Sequence, residues 1–173
     1  MKIPLQRIVY PTLIVIGLGA LVVIYFQTKT ACINPEKICI SYKSGWKQVS
    51  VATPDTVRLT KSKPGAVFQL SVSKTKIAGT VQNVASALDT QLKKSVSSYK
   101  LIKAEQIMID NVRSVAMTYE LAPSDGGRVM EQELVVVPLG DKTYLMTAEA
   151  APSDLDQLKP EIDYILSHTE IKR

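Results

Sequence analysis

Residues that commonly perform catalysis or bind metals are scarce in this sequence. Histidine occurs once, as His168, and cysteine twice, as Cys32 and Cys39, among 173 residues. A zinc site needs more ligands than these, and the cysteine spacing is not the C-x-x-C of a redox motif. The chain also contains no G-x-S-x-G motif and no phosphate-binding loop. We therefore predict no catalytic residue, no metal and no cofactor, and we keep an enzyme only as the least favoured of the possible functions.

Charge is missing altogether from one stretch near the N-terminus. Residues 8–26 contain no charged side chain, and as an α-helix they would span roughly 28 Å, about the thickness of the hydrocarbon core of a bilayer. No helical face of this run is polar, which argues against a core helix of a soluble protein. We predict a single transmembrane helix that contacts lipid through residues 8–26, within an anchor formed by residues 1–29.

The charges flanking this run indicate its orientation. Lys2 and Arg7 precede it, and Lys29 follows it. Because basic residues tend to stay in the cytoplasm, we predict a cytoplasmic N-terminus and an extracytoplasmic C-terminal domain on a plasma or thylakoid-type membrane. A cleaved signal peptide and a lipoprotein remain as alternatives. The run is long for a signal peptide, and Lys29 occupies the position where a cleavage site needs a small residue and a lipobox needs an aliphatic one.

The two cysteines lie just beyond the apolar run, with the turn-forming pair Asn34-Pro35 between them. An extracytoplasmic compartment permits disulfides. We predict that Cys32 and Cys39 are bonded to each other and close a small loop in a juxtamembrane segment, residues 30–39.

The remaining residues, 40–173, have the length of one domain. Apolar residues at every second position predict strands at residues 38–42, 47–52, 57–60 and 66–74 and, further along, at 101–109, 112–121, 129–137 and 142–150. A stripe of apolar residues at helical spacing predicts a helix over residues 81–98, capped by Thr80. A final helix is predicted to begin at Ser153 and to restart at Pro160. The fold class is α+β: an antiparallel β-sheet with two packing helices.

One short motif near the start of the domain resembles a known family. Residues 40–47, ISYKSGWK, are similar to the Tyr-Pro-x-Gly-Trp start of the PsbP-like superfamily, with Lys43-Ser44 where that family often has proline. This superfamily includes the extrinsic photosystem II protein PsbP and the bacterial DcrB-type lipoproteins. The resemblance covers residues 38–173, together with the order of the helices and strands. It implies an α/β/α sandwich and a mostly non-enzymatic function, without a shared active-site motif.

The charge of the domain is unevenly distributed along the chain. Residues 32–103 contain 12 basic and 3 acidic side chains, whereas residues 104–173 contain 6 and 13. One basic cluster is a candidate docking patch for an acidic partner or for anionic head groups: Arg58, Lys61, Lys63, Lys74 and Lys76. The alternative is an ordinary solvated sheet edge, where lysines discourage pairing between edges. No aromatic residues alternate with these lysines, so we do not predict nucleic-acid binding.

Together these features predict a non-catalytic accessory subunit. In this hypothesis, a single-span anchor holds a domain that docks on, or stabilises, a larger membrane protein complex. The alternative is a binding module that holds a lipid or a small hydrophobic ligand between the sheet and the helix at residues 81–98. A sizeable, open, apolar pocket beneath that helix would favour the second hypothesis.

Overall fold

A computed structural model describes residues 28–73, 80–96, 98–122 and 127–172. The described part of the chain forms two sheets and two helices. In chain order the elements are β1 (Thr28–Ile33), a 3-10 turn (Asn34–Glu36), β2 (Ile38–Lys43), β3 (Lys47–Val49), β4 (Thr56–Ser62), β5 (Gly65–Ser73), α1 (Val81–Ser95), β6 (Tyr99–Ile109), β7 (Val112–Leu121), β8 (Met130–Leu139), β9 (Lys142–Ala150), α2 (Pro152–Ser167) and β10 (Thr169–Ile171).

The larger sheet has seven antiparallel strands in the order β3-β4-β5-β9-β8-β7-β6. The predicted meander of four strands, β6 to β9, is confirmed. Its first hairpin turns at Asp110-Asn111, where both residues have positive φ, 45° and 62°, as a two-residue hairpin turn requires. The sequence alone did not predict that β9 pairs with β5, with Leu70 opposite Met146. This pairing joins the early strands and the meander into one sheet.

Alternate residues of the sheet belong to two separate cores. On β7, Val115 and Met117 pack in a cluster with Val84 of α1, whereas Ala116 belongs to the main core with Leu158 of α2. Successive side chains of a strand point to opposite faces. The two helices therefore cover opposite faces of the sheet, which confirms an α+β arrangement with a helix on each side.

A second, three-stranded sheet in the order β1-β2-β10 was not predicted. The folded domain therefore begins before residue 40, the boundary predicted from the sequence, because β1 belongs to it. Ala31 and Ile33 of β1 are buried in the main core, beside Ile38 and Ile40 of β2. Lys29 and the turn residues around Asn34 make this stretch look like a linker in the sequence. The short apolar alternation of β1 becomes evident only once β2 and β10 pair with it.

Helix α1 begins as predicted and ends three residues early. The Thr80 hydroxyl accepts a hydrogen bond from the backbone N–H of Asn83 at 3.3 Å, which confirms the predicted cap. The helix stops at Ser95 because Val96 takes an extended conformation while its N–H still donates to the Leu92 carbonyl. A β-branched residue at this position favours leaving the helix.

The predicted start and interruption of α2 are both wrong. The cap is Ala151, and Pro152 takes the first helical position, where a missing N–H is tolerated. Pro160 lies inside one continuous helix. It removes one backbone hydrogen bond, but Leu158 and Ile162 on either side of it are buried in the main core. This burial keeps the helix continuous.

Candidate functional site

The first described residues form a disulfide-bonded hairpin with the second strand. Cys32 and Cys39 face each other across β1 and β2 and are bonded, as predicted. At the start of β1, the Thr28 hydroxyl lies 3.1 Å from the Tyr164 hydroxyl of α2. Thr28 comes two residues after the end of the uncharged run at residues 8–26. The domain therefore begins directly after that run, with Gln27 as the only intervening residue.

The edge of the domain near Thr28 contains aromatic and basic side chains. The Lys43 ammonium lies 4.6 Å from the ring centroid of Tyr164, a cation–π distance. The Tyr164 ring stacks on His168 with 4.0 Å between centroids. The single histidine is thus exposed at the end of α2 and packed against a neighbouring ring.

A charged pair and an indole N–H link the segment between β2 and β3 to β4 and α2. The Trp46 indole N–H donates to Glu161 at 2.7 Å, and the Lys61 ammonium donates to both oxygens of the same carboxylate at 2.6 Å. Trp46 is buried, and the Lys61 side chain is only 12% exposed. Trp46 of the ISYKSGWK motif therefore has a structural role here, because it orients a carboxylate that neutralises a largely buried lysine.

The structure separates the residues of the predicted docking patch. Arg58 and Lys61 lie on opposite faces of the sheet, since the residues flanking Arg58 on β4, Val57 and Leu59, are both buried in the main core. Arg58 is exposed and Lys61 pairs with Glu161, while Lys63 is exposed in the β4–β5 turn. The predicted Lys74 and Lys76 lie outside the described residues. The prediction grouped these cations because they are close in the sequence, and it did not take into account which face of a strand each one occupies.

A cleft of about 410 Å³ lies between α1 and the β6 and β7 strands. Its lining is mixed, with small apolar side chains beside amides, a hydroxyl and a carboxylate: Gln82, Ala85, Ser86, Ala104, Glu105, Gln106 and Val115. This is the place where the sequence predicted a ligand pocket. The cleft is open and most of its lining surface is apolar, although four of the seven residues that line it carry polar groups.

The opposite face has a smaller groove, of about 180 Å³, between β6 and α2. Glu131 and Glu133 line it, and Lys159 donates to Glu133 at 2.8 Å. Burial raises the pKa of Glu131, and the nearby carboxylates of Asp156, Glu120 and Glu133 raise it further. The groove is lined by charged side chains of the strands and of α2, and the Lys159 ammonium neutralises the Glu133 carboxylate.

The described residues contain neither a metal-binding cluster nor a membrane-spanning helix. In those ranges, no group of three or more His, Cys, Asp or Glu side chains is arranged to hold a metal ion. Nor is any helix among them both long enough and apolar enough to cross a membrane. The predicted span at residues 8–26 lies outside the described residues.

Several solved structures share this arrangement of strands and helices. Cyanobacterial PsbP (CyanoP) from Synechocystis sp. PCC 6803 superposes with a TM-score of 0.61 and 19% identity, over 84% of this chain and 92% of its own. The chain has the PsbP-like fold. The fold predicted from residues 40–47 and from the element order is thereby confirmed.

Two further structures with the PsbP-like fold have different described roles. The Ran-binding protein Mog1p of Saccharomyces cerevisiae has a TM-score of 0.64 and 5% identity, over 84% of this chain and 96% of its own. LpqN, described as involved in cell envelope biogenesis of Mycobacterium tuberculosis, has a TM-score of 0.55 and 13% identity, over 85% and 91%. No protein-family model and no curated protein matches the chain. At these identities the likeness establishes the fold alone.

Proposed function

We propose that this protein is a non-catalytic, single-span membrane protein whose PsbP-like domain lies outside the cytoplasm and docks on a larger membrane protein complex. The observation that supports this most directly is the start of the domain at Thr28. A strand of the folded domain begins two residues after the end of an uncharged run of membrane-spanning length. The domain would therefore remain within a few ångströms of the bilayer, where the outer surface of a membrane complex is within reach.

The disulfide supports the location of the domain. The Cys32–Cys39 bond joins two neighbouring strands, and such structural bonds persist in oxidising compartments and are rare in the cytosol. Taken with Lys2 and Arg7 before the apolar run, it supports a cytoplasmic N-terminus and an extracytoplasmic domain.

The uncovered half of the sheet supports a docking surface. Helix α1 packs on β6 and β7, and among the described helices none packs on the same face of β4, β5 and β9. This open face has polar residues in register, with Arg58 opposite Gln69 and Gln69 opposite Thr147. Arg58 is exposed and makes no ion pair with any described residue. An acidic patch on a partner would complement it.

Purification of the full-length protein from native membranes in mild detergent tests this proposal. We expect a membrane complex to co-purify, and we expect the Arg58→Glu variant to lose it. Arg113→Glu is the matched control, because Arg113 is also exposed and unpaired among the described residues but lies on β7. Equal recovery of partners with wild type and Arg58→Glu would contradict docking through this face. A mature N-terminus at or beyond Ala31 would contradict the retained anchor.

The ligand-binding alternative is supported by the cleft beneath α1. Four of its seven lining residues, however, are polar: Gln82, Ser86, Glu105 and Gln106. A wholly apolar ligand would leave such groups without hydrogen-bond partners, so a ligand with a polar head group fits this lining better. Native mass spectrometry of the same purified protein distinguishes the two hypotheses, since a bound small molecule adds a discrete mass to the protein without a partner.

A further inference from the structure

Four lysines lie at strand ends or in a turn around the start of the domain. Lys29 follows Thr28, and Lys43 stands opposite Thr28 in the β1–β2 ladder, so these two lysines lie at the same end of the small sheet but on its opposite faces. Gly45, in the turn after β2, lies close to the Lys61 ammonium group. The following strand, β3, begins with Lys47. Lys63 occupies the β4–β5 turn just after Lys61. We call these four residues, Lys29, Lys43, Lys47 and Lys63, the exit lysines.

The exit lysines differ from most other lysines in lacking a carboxylate partner. Within the described ranges, none of the four makes an ion pair. Six other lysines do, and they lie mainly along α1, β6 and α2: Lys61, Lys93, Lys100, Lys103, Lys142 and Lys159. Six of the nine other described lysines are thus neutralised by a carboxylate of the domain, whereas the four exit lysines are not.

The Glu161 carboxylate, which lies at Trp46 and Lys61, cannot compensate the exit lysines fully. Glu161 already accepts hydrogen bonds from Trp46 and, through both oxygens, from Lys61. Gathering like charges without counter-charges is unfavourable for the isolated domain. An external anionic surface would relieve this repulsion.

The start of β1 indicates which anionic surface this is. Two peptide units separate residue 26 from Thr28, so Thr28 lies at most about 7 Å from the end of the apolar run. At that distance the lipid head groups are the nearest external anions. We infer that the exit lysines bind anionic lipid head groups and hold this edge of the domain against the bilayer. The inference rests on the membrane anchor of the proposed function but not on the docking partner.

This orientation has a consequence for the rest of the domain. Strands β3 and β4 lie beside the exit, and β6 is at the other edge of the seven-stranded sheet. Six strand spacings separate β3 from β6, roughly 29 Å. With the exit lysines on the membrane, β6 and α1 lie on the side of the sheet away from the exit.

Hydrogen exchange on the full-length protein in nanodiscs tests the inference. We compare discs of phosphatidylcholine alone with discs that also contain phosphatidylglycerol. In the anionic discs we expect slower exchange in the turns at residues 44–46 and 62–65, by about fivefold for each lysine that binds, and no change in β6. Raising the salt concentration should abolish the difference.

The double variant Lys47→Glu/Lys63→Glu should lose the lipid-dependent protection. These two are chosen because they are exposed, while Lys29 flanks the apolar run and Lys43 contacts Tyr164. The matched control is Lys94→Glu/Lys172→Glu, which reverses two exposed lysines that are also unpaired among the described residues. The control should keep the protection.

The outcomes separate this inference from the proposed function. Equal exchange in neutral and anionic discs, or unchanged protection in the Lys47→Glu/Lys63→Glu variant, would overturn lipid binding by the exit lysines. Extraction of the wild-type protein from membranes by alkaline carbonate would instead overturn the anchor. Lipid-dependent protection without any co-purifying complex would support the inference and contradict the docking partner.

Discussion

The two helices of this domain are buried to different extents. Helix α2 buries a continuous stripe of five residues: Leu155, Leu158, Ile162, Ile165 and Leu166. Helix α1 is almost as long, yet Val84 is its only fully buried residue among the side chains that the structure describes. The comparison teaches that the same amphipathic pattern can produce a core helix or a peripheral one. The difference depends on what covers the helix.

The surroundings of the two helices explain this difference. Helix α2 packs on β2 of the small sheet and on β5, β8 and β9 of the large sheet, so it lies between two sheets. Helix α1 packs on β6 and β7 at the end of the large sheet. Its outer strand, β6, has exposed Ile102 and Met108, 47% and 58% accessible. Regions with few buried apolar contacts open at lower free energy than the core, so we expect the α1 half to be the less stable half.

A matched pair of leucine substitutions provides the sharpest test of this comparison. Leu158→Ala on α2 should lower the free energy of unfolding by about 3 kcal/mol, because Leu158 is fully buried in the main core. Leu88→Ala on α1 should cost about 1 kcal/mol, since Leu88 is only half-buried. Urea unfolding followed by circular dichroism measures both values. Equal costs would mean that the two helices contribute equally to stability.

Removing the disulfide should have a smaller effect, located in the α2 half. The double variant Cys32→Ser/Cys39→Ser should lose about 2 kcal/mol, because a short loop loses little entropy on closure. Hydrogen exchange should increase in β1 and β2, which the bond joins, while β6 and β7 exchange as in wild type. Faster exchange throughout β6 and β7 would show that the hairpin stabilises both halves alike.

The smallest expected effect concerns pH and the α1 half. The Tyr99 hydroxyl on β6 donates to Asp89 of α1 at 3.0 Å, and burial together with this bond raises the pKa of Tyr99 above its usual value. Tyrosine in the unfolded chain loses its proton first, near pH 10, so unfolding becomes easier as the pH rises above about 10. Tyr99→Phe should cost about 1 kcal/mol at neutral pH.

The pH dependence of the wild type relative to Tyr99→Phe reveals this contribution. The difference in unfolding free energy should shrink between about pH 9 and pH 11, because only the wild type loses the stabilisation of a protonated Tyr99. Urea unfolding at the two pH values measures the difference. If this difference in unfolding free energy stays constant, Tyr99 has the same pKa in the folded and the unfolded chain, and its hydrogen bond to Asp89 does not change that pKa.

Regular local patterns were sufficient to predict most of the elements. The period-two alternation located the meander strands, and the Asp110-Asn111 pair located a hairpin turn, because these features depend on neighbouring residues alone. Thr80 was predicted correctly as a cap for the same reason. The Pro160 interruption was predicted wrongly, because the burial of Leu158 and Ile162 by distant strands outweighs one lost backbone hydrogen bond.

The candidate surfaces were less predictable than the elements. Arg58 and Lys61 are three residues apart in sequence, yet they lie on opposite faces of β4, and Lys61 pairs with a carboxylate 100 residues away. The partner of a charge does not follow from spacing along the chain. Only the strand parity around Val57 and Leu59 could have separated Arg58 from Lys61 in advance.

The sequence by itself determined the α+β class and the order of the meander strands and helices, because both depend on local periodicity. It also determined the disulfide pairing, because the chain has only two cysteines. The tertiary structure alone decided that β1 is part of the domain, that β9 pairs with β5, and that α2 is central while α1 is peripheral. It also decided which lysines are neutralised. These outcomes depend on contacts between residues far apart in the chain, and local sequence patterns do not reveal the energies of such contacts.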